Sequence, residues 1–181
     1  MIMRKIILYI ASSLDGKIAD KNGEVRWLDE IPNPEKSDYG YQEFYDSIDT
    51  TLMGNKTWQQ VKGFGIGNPY KGKKNFVFTR KKDTPQDKEI EYVNKNVISF
   101  IKDLKDQTGK NIWCVGGGEF IALLLNNHLI DEIRLFLMPV ILGEGINLTG
   151  HLGQVIKLGS YESKTYHSGV VELKYKVENS A

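Results

Sequence analysis

The chain has one cysteine, Cys114, so no disulfide can form within it, and the small stapled folds of secreted proteins are excluded. Its three histidines, His128, His151 and His167, are scattered at spacings that suit no metal-ligand set. Lysine and arginine number 24 against 23 acidic residues, a net charge of +1. That balance supplies no overall field toward nucleic acid or an anionic membrane. Aromatic and basic residues are not interleaved as on an RNA-binding strand, and no nucleophile elbow of the G-x-S-x-G type occurs. No apolar run approaches the roughly 20 residues of a membrane helix, and the one in MIMRKIILYIASS has no cleavage site behind it. A cytoplasmic protein that meets a small molecule is the expectation.

What is present fits one domain of 181 residues. The stretch Lys5 to Ala11 (KIILYIA) is nearly continuous in apolar residues, the pattern of a strand buried on both faces of a parallel sheet. A polar segment follows, with turns at Asp15-Gly16 and Asn22-Gly23 and an irregular course through Pro32 and Pro34. Tyr41, Phe44, Tyr45 and Ile48 then fall at helical spacing, with Ser37 or Asp38 as N-cap. Strands are expected at Thr50 to Met53, at Asn75 to Thr79 and at the start of NIWCVGGGEFIALLL, with a helix marked by Val97, Ile101 and Leu104 between the last two. Glu132 to Leu142 is a strand interrupted or ended by Pro139, and YESKTYHSGVVELKYKV is a hairpin turning at Ser168-Gly169. Strands alternating with helices and then strands alone predict a mostly parallel sheet with an antiparallel addition. Cys114, inside IWCV, is read as a core residue and not as a nucleophile.

Three places offer anion-binding chemistry. Gly116, Gly117 and Gly118 stand where a strand hands over to a helix, so backbone N–H groups and a helix dipole face whatever approaches. That is either a phosphate cradle or a tight turn. The strand TTLM runs into Gly54, Asn55, Lys56 and Thr57, which donate well to phosphate oxygens, although a lysine there is by default a solvated charge. Thr79, Arg80, Lys81 and Lys82 close another strand with three cations, or simply form a soluble loop. The dinucleotide fingerprint G-x-G-x-x-G fails at Ile121, and the P-loop ending is missing, so neither a standard Rossmann nor a P-loop domain is expected. In a parallel sheet all three strand ends gather on one edge, where such folds bind ligands.

The order of motifs resembles the dihydrofolate reductase-like superfamily, in its bacterial branch related to the reductase domain of riboflavin biosynthesis. The matching pieces are YIASSLDGKIA, TLMGNKTW, KNFVFTR, IWCVGGGEFIALLL and LIDEIRLFLMPVILGEG. The resemblance implies an α/β, three-layer fold with a mostly parallel central sheet and an antiparallel C-terminal hairpin, in a homodimer that uses NADPH. It implies a pyrophosphate cradle at Gly54, Lys56, Thr57, Gly117, Gly118 and Glu119, beside Gly116, with the 2′-phosphate read by Thr79, Arg80 and Lys81. Ala11 and Ile18 would flank the nicotinamide. Glu119 is the awkward member, repelling a phosphate unless its side chain turns away.

On the substrate side the resemblance points to Asp38 as the acid that holds a pterin-like ring and assists protonation; the other role open to it is a helix cap. Asp15 lies either near the nicotinamide or merely in its turn, and Trp27 either covers the pocket or sits in the core. Gly116 stands where the riboflavin enzyme has an acidic residue, and Gln59 and Gln60 stand where it has an acidic pair. Both departures count against its substrate. The expected activity is NADPH-dependent reduction of a small pterin-like or ribosylaminopyrimidine-like heterocycle. The alternatives are 5-amino-6-(5-phosphoribosylamino)uracil reductase and a non-catalytic NADP(H)-binding protein.

Overall fold

The computed structural model describes residues 3–179. In chain order the strands are β1 (Ile6–Ser13), β2 (Lys17–Ala19), β3 (Ile48–Gly54), β4 (Lys74–Phe78), β5 (Glu91–Val93), β6 (Asn111–Gly116), β7 (Glu132–Met138), β8 (Ile146–Asn147), β9 (Leu158–Thr165) and β10 (Val171–Val177). The helices are α1 (Tyr41–Asp46), α2 (Asn55–Gly63), α3 (Val97–Asp106) and α4 (Gly118–Asn126), with a single 3-10 turn at Arg26–Leu28. Eight strands form one sheet in the order β5-β4-β3-β6-β1-β7-β10-β9, while β2 and β8 pair apart from it.

Pairing within the sheet is parallel from β5 through β7 and antiparallel where β10 joins β7 and β9 joins β10. The apolar run of β1 explains its central place, since Ile6 and Leu8 face one core and Ile7 faces another. On the first face α3 and α4 cover Leu52, Ile112 and Cys114 with Ile101, Ile121 and Leu124. On the second, Phe44 of α1 and Trp58 and Val61 of α2 pack on Met53, Val77 and Trp113. These are the three layers of helix, sheet and helix. A third apolar group (Trp27, Phe136, Met138 and Val170) closes the far side of β7.

The pattern-based expectations hold for β1, β3, β4, β6, α3, α4 and the terminal hairpin. Elsewhere the structure corrects them. Lys17–Ala19 is a short strand inside the expected loop, α2 follows the Gly54 turn directly, and β5 and β8 occupy stretches expected to be irregular. Ile48 begins β3 and is not the last residue of α1. β7 stops at Met138, one residue before Pro139, whose ring carries no N–H for a ladder. No helix among the described residues is long and apolar enough to cross a membrane.

Candidate active site

At the C-terminal edge of the sheet, β3 and β6 lie side by side, with Met53 opposite Gly116. Each runs straight into a nine-residue helix, α2 after Gly54 and α4 after Gly117. Two helix N-termini therefore open next to each other, each with backbone N–H groups that its own helix leaves unbonded. A Cβ on Gly54 would stand 3.7 Å from Cβ of Phe120, and a Cβ on Gly117 would stand 3.2 Å from the Thr57 hydroxyl. The two turns are in contact.

The three consecutive glycines have separate physical reasons. Gly116 has φ of +127°, a backbone conformation that L side chains rarely adopt. Gly117 faces Thr57 across the junction. At Gly118 a Cβ would come within 2.5 Å of the Asn147 carbonyl oxygen, and the Gly150 N–H donates to the Gly118 carbonyl at 2.9 Å. The missing side chain at Gly118 is thus accounted for by the chain's own 147–150 loop. Glu119 turns toward the same loop, because its carboxylate oxygens lie 2.7 and 2.9 Å from where a Gly150 Cβ would stand. Its charge lies beside Gly150, while the residue itself remains in the first turn of α4.

The cations of this edge are uncommitted. Lys56, Arg80 and Lys81 are exposed, and their side chains make no ion pair or hydrogen bond among the described residues. Thr79 is half-buried after β4, with its hydroxyl accepting the Lys81 N–H at 3.2 Å. Charges left free beside open helix ends suit a polyanionic ligand.

Next to this edge is a pocket of about 330 Å³ with Ala11 of β1 and Met138 of β7 at its floor. Leu28, Asp29, Ile31, Asn33 and Tyr39 complete its lining. Trp27 is buried, 8% exposed, in the third apolar group and supports the pocket from the core. Ile18 is half-buried on β2, which pairs with β8.

Neither of the other proposed acids lines this pocket. Asp38 is exposed; its Oδ1 accepts the Gly40 N–H at 2.9 Å and its Oδ2 the Gln42 N–H at 3.1 Å. Those backbone bonds hold its carboxyl below the usual carboxylate range, the wrong direction for a proton donor. It ties the turn that leads into α1, whose N-cap is Gly40 and neither Ser37 nor Asp38 as the spacing suggested. Asp15 accepts from the Ser13 hydroxyl at 2.6 Å and from the Leu142 and Gly143 N–H groups at 3.0 and 2.8 Å. These bonds lower its pKa to about 2 and clamp the β1–β2 turn to the segment after β7.

Other chemistries find no support among the described residues. Cys114 is fully buried, and burial pushes its thiol up to about 12. No group of three or more His, Cys, Asp or Glu side chains comes together as metal ligands would.

A family model, the RibD C-terminal domain, matches residues 4–172. The chain belongs to that family. Among its relatives is the uncharacterized protein YwjB of Bacillus subtilis, 38% identical over 167 residues that cover 92% of this chain and 95% of that one. A 5-amino-6-(5-phosphoribosylamino)uracil reductase of Buchnera aphidicola is 36% identical over 63 residues, 34% of this chain and 30% of the other. A solved structure of a putative riboflavin biosynthesis protein from a Shewanella species superposes with a TM-score of 0.86 at 31% identity, covering 96% and 99% of the two chains. The RibD C-terminal family is reductase-like, and its fold is that of riboflavin-biosynthesis reductases in the dihydrofolate reductase-like superfamily.

Sequence reasoning missed Asp29 and Tyr39, which the RibD-like fold brings to the pocket. Tyr39 has φ of +53°, unusual for a bulky residue, and no sequence pattern announces it. Its neighbour Gly40, also at positive φ, was the available signal of a sharp turn there.

Proposed function

We propose that this chain is an NADPH-dependent reductase of a small heterocyclic substrate of the ribosylaminopyrimidine type. One observation carries the reading: two touching helix N-termini and three uncommitted cations share a sheet edge with an apolar pocket floored by Ala11. Residues that would hold the coenzyme are Gly54, Lys56, Thr57 and Gly117 at its pyrophosphate and Thr79, Arg80 and Lys81 at its 2′-phosphate. A bound NADPH supplies the hydride, so the protein's own work is to bind, align and keep water away. Ala11 and Ile18 offer small and apolar surface to the nicotinamide, and Met138, Leu28 and Ile31 dry the far side of the pocket.

The family supports a pyrimidine substrate more than a pterin, and so does Asp38, whose oxygens are already engaged with backbone N–H groups. Gly116, Gln59 and Gln60 favour a relative of the riboflavin intermediate over that intermediate itself. The proposal includes a homodimer. Leu135 and Leu137 of β7 and Val171, Leu173 and Tyr175 of β10 share one sheet face, are half-buried, and belong to none of the three apolar groups. A second copy would cover such an uncharged, self-complementary face.

The test is titration with both coenzymes by fluorescence. NADPH is expected to bind at least about tenfold more tightly than NADH, roughly 1.4 kcal/mol, through ionic contacts to the extra phosphate. Arg80→Ala with Lys81→Ala should erase that preference and leave NADH unchanged. Equal affinities in the native protein would sink the assignment. Reduction of 5-amino-6-(5-phosphoribosylamino)uracil and of dihydrofolate, followed at the NADPH absorbance band, then separates the two substrate classes.

A further inference from the structure

The pocket at Ala11 contains three polar side chains, and their hydrogen bonding separates them. Asn33 is spent: its Oδ1 accepts the Ser37 N–H at 2.9 Å and its Nδ2 donates to the Ser37 carbonyl at 2.7 Å. Asp29 is exposed and its carboxylate makes no hydrogen bond or ion pair among the described residues. The Tyr39 hydroxyl is equally without a partner among them. An acceptor-only carboxylate and a phenol are therefore the polar groups left to meet a ligand.

Tyr39 is also held in a costly conformation. Lys36, Tyr39 and Gly40 have φ of 49°, 53° and 78°, and the first two are residues that rarely adopt such values. The strained backbone is pinned where it stands. The Tyr39 N–H donates to the Ser37 hydroxyl at 3.1 Å, and its carbonyl lies 3.5 Å from the Tyr9 hydroxyl. Its ring meets Tyr166 edge to face at 4.9 Å and 80°. Tyr166 is in turn fixed by donating its hydroxyl to Glu172 at 3.0 Å. A side chain positioned through two further residues and a strained turn, yet bonded to nothing at its tip, is preorganised for a partner.

We propose that Asp29 and Tyr39 together recognise the ring of the substrate: the Tyr39 ring packs on a planar heterocycle and the Asp29 carboxylate accepts from its N–H edge. The ligand class is a planar ring carrying amino or imide N–H donors. Apolar contact from Met138, Leu28 and Ile31 encloses the rest of it. This deepens the reductase reading and rests on it.

The experiment uses 5,6-diaminouracil, a planar pyrimidine with both kinds of N–H donor, titrated by calorimetry into protein saturated with NADPH. Native protein should bind it. Asp29→Asn and Tyr39→Leu should each weaken binding about tenfold, the scale of one good hydrogen bond or ring-stacking interaction. Glu30→Gln, which removes the neighbouring charge outside this pocket, should change it less than about twofold. NADPH affinity and melting temperature, measured on every variant, show that the fold and coenzyme site survive. If Tyr39→Leu fails to fold, Tyr39→Met, which keeps an apolar side chain without a ring, replaces it and should weaken binding as much, while Tyr39→Phe, which keeps the ring, should retain it. Binding unchanged in either Asp29→Asn or the ringless Tyr39 variant overturns the pair and leaves the reductase reading intact. No binding by native protein with NADPH in place overturns the aminopyrimidine class, and this inference with it.

Discussion

The two edges of the parallel sheet are built on opposite rules. At the N-terminal edge the buried and half-buried charges have partners. Arg4, 4% exposed, donates to the Lys110 carbonyl at 2.6 Å, the Leu104 carbonyl at 3.3 Å and the Thr50 hydroxyl at 2.7 Å, and it pairs with Asp49. Asp131 accepts the Ile6 N–H at 2.8 Å and pairs with Lys105 at 2.7 Å, while Glu132 accepts from Arg134 at 2.6 Å. At the C-terminal edge Lys56, Arg80, Lys81 and Asp29 have no such partners among the described residues. Satisfied polar groups fix a fold, and uncommitted ones cost little at the surface while remaining available to a ligand. The difference separates an edge that holds the fold together from one left open to the proposed ligand.

Arg4→Met breaks the comparison most forcefully. It strands Asp49, Thr50 and two carbonyl oxygens, and Asp49 keeps some access to water. A loss of about 3 kcal/mol in unfolding free energy is expected, the low end for breaking a buried ion pair. Urea titration measures it, and NADPH affinity measured well below the transition should not move. If affinity drops along with stability, the edges are not independent.

Gly118→Ala acts on the other edge and comes next in size. The added Cβ meets the Asn147 carbonyl, so the start of α4 or the 147–150 loop must shift. Overpacking of this kind costs about 1–3 kcal/mol. The displaced helix N-terminus should also weaken NADPH binding about tenfold, which Arg4→Met should not do. Full affinity in Gly118→Ala would remove α4 from the proposed coenzyme site.

Much of this arrangement is legible in the amino-acid order itself. The isoleucine run of β1, the glycine turns after β3 and β6 and the hairpin at Ser168-Gly169 are local signals, and each lies where it was read. The two- and three-residue strands β2, β5 and β8 are too short to show a period. α2 was hidden because Trp58 and Val61 are its only buried apolar side chains. The proposed site is signalled in the sequence at its cationic edge, where glycine and lysine stand together along the chain. It was not legible at Asp29 and Tyr39, which are ten residues apart in sequence and meet only through the fold. Nor could the chain reveal that Gly118 is bare for the sake of Asn147, a contact across 29 residues of sequence.

Asp15 gives the smallest expected effect and the sharpest form of the comparison, because it sits at the chemical edge yet follows the rule of the other. Its carboxylate is fully bonded to Ser13, Leu142 and Gly143, and the first of these, a side-chain hydrogen bond, lowers its pKa most. A folded-state pKa of about 2, below the ordinary 3.8, means that the carboxylate's contribution is present above about pH 4. It fades as pH falls through 2, where the folded protein also takes up the proton. Asp15→Asn should therefore melt below the native protein at pH 7, by an amount that shrinks between pH 4 and pH 2. Melting curves at pH 7, 4, 3 and 2 make the measurement. A gap that stays constant down to pH 2 would mean that shape, not charge, holds the clamp. The β1–β2 turn would then no longer be the point where the stabilising rule extends into the edge proposed to bind the ligand.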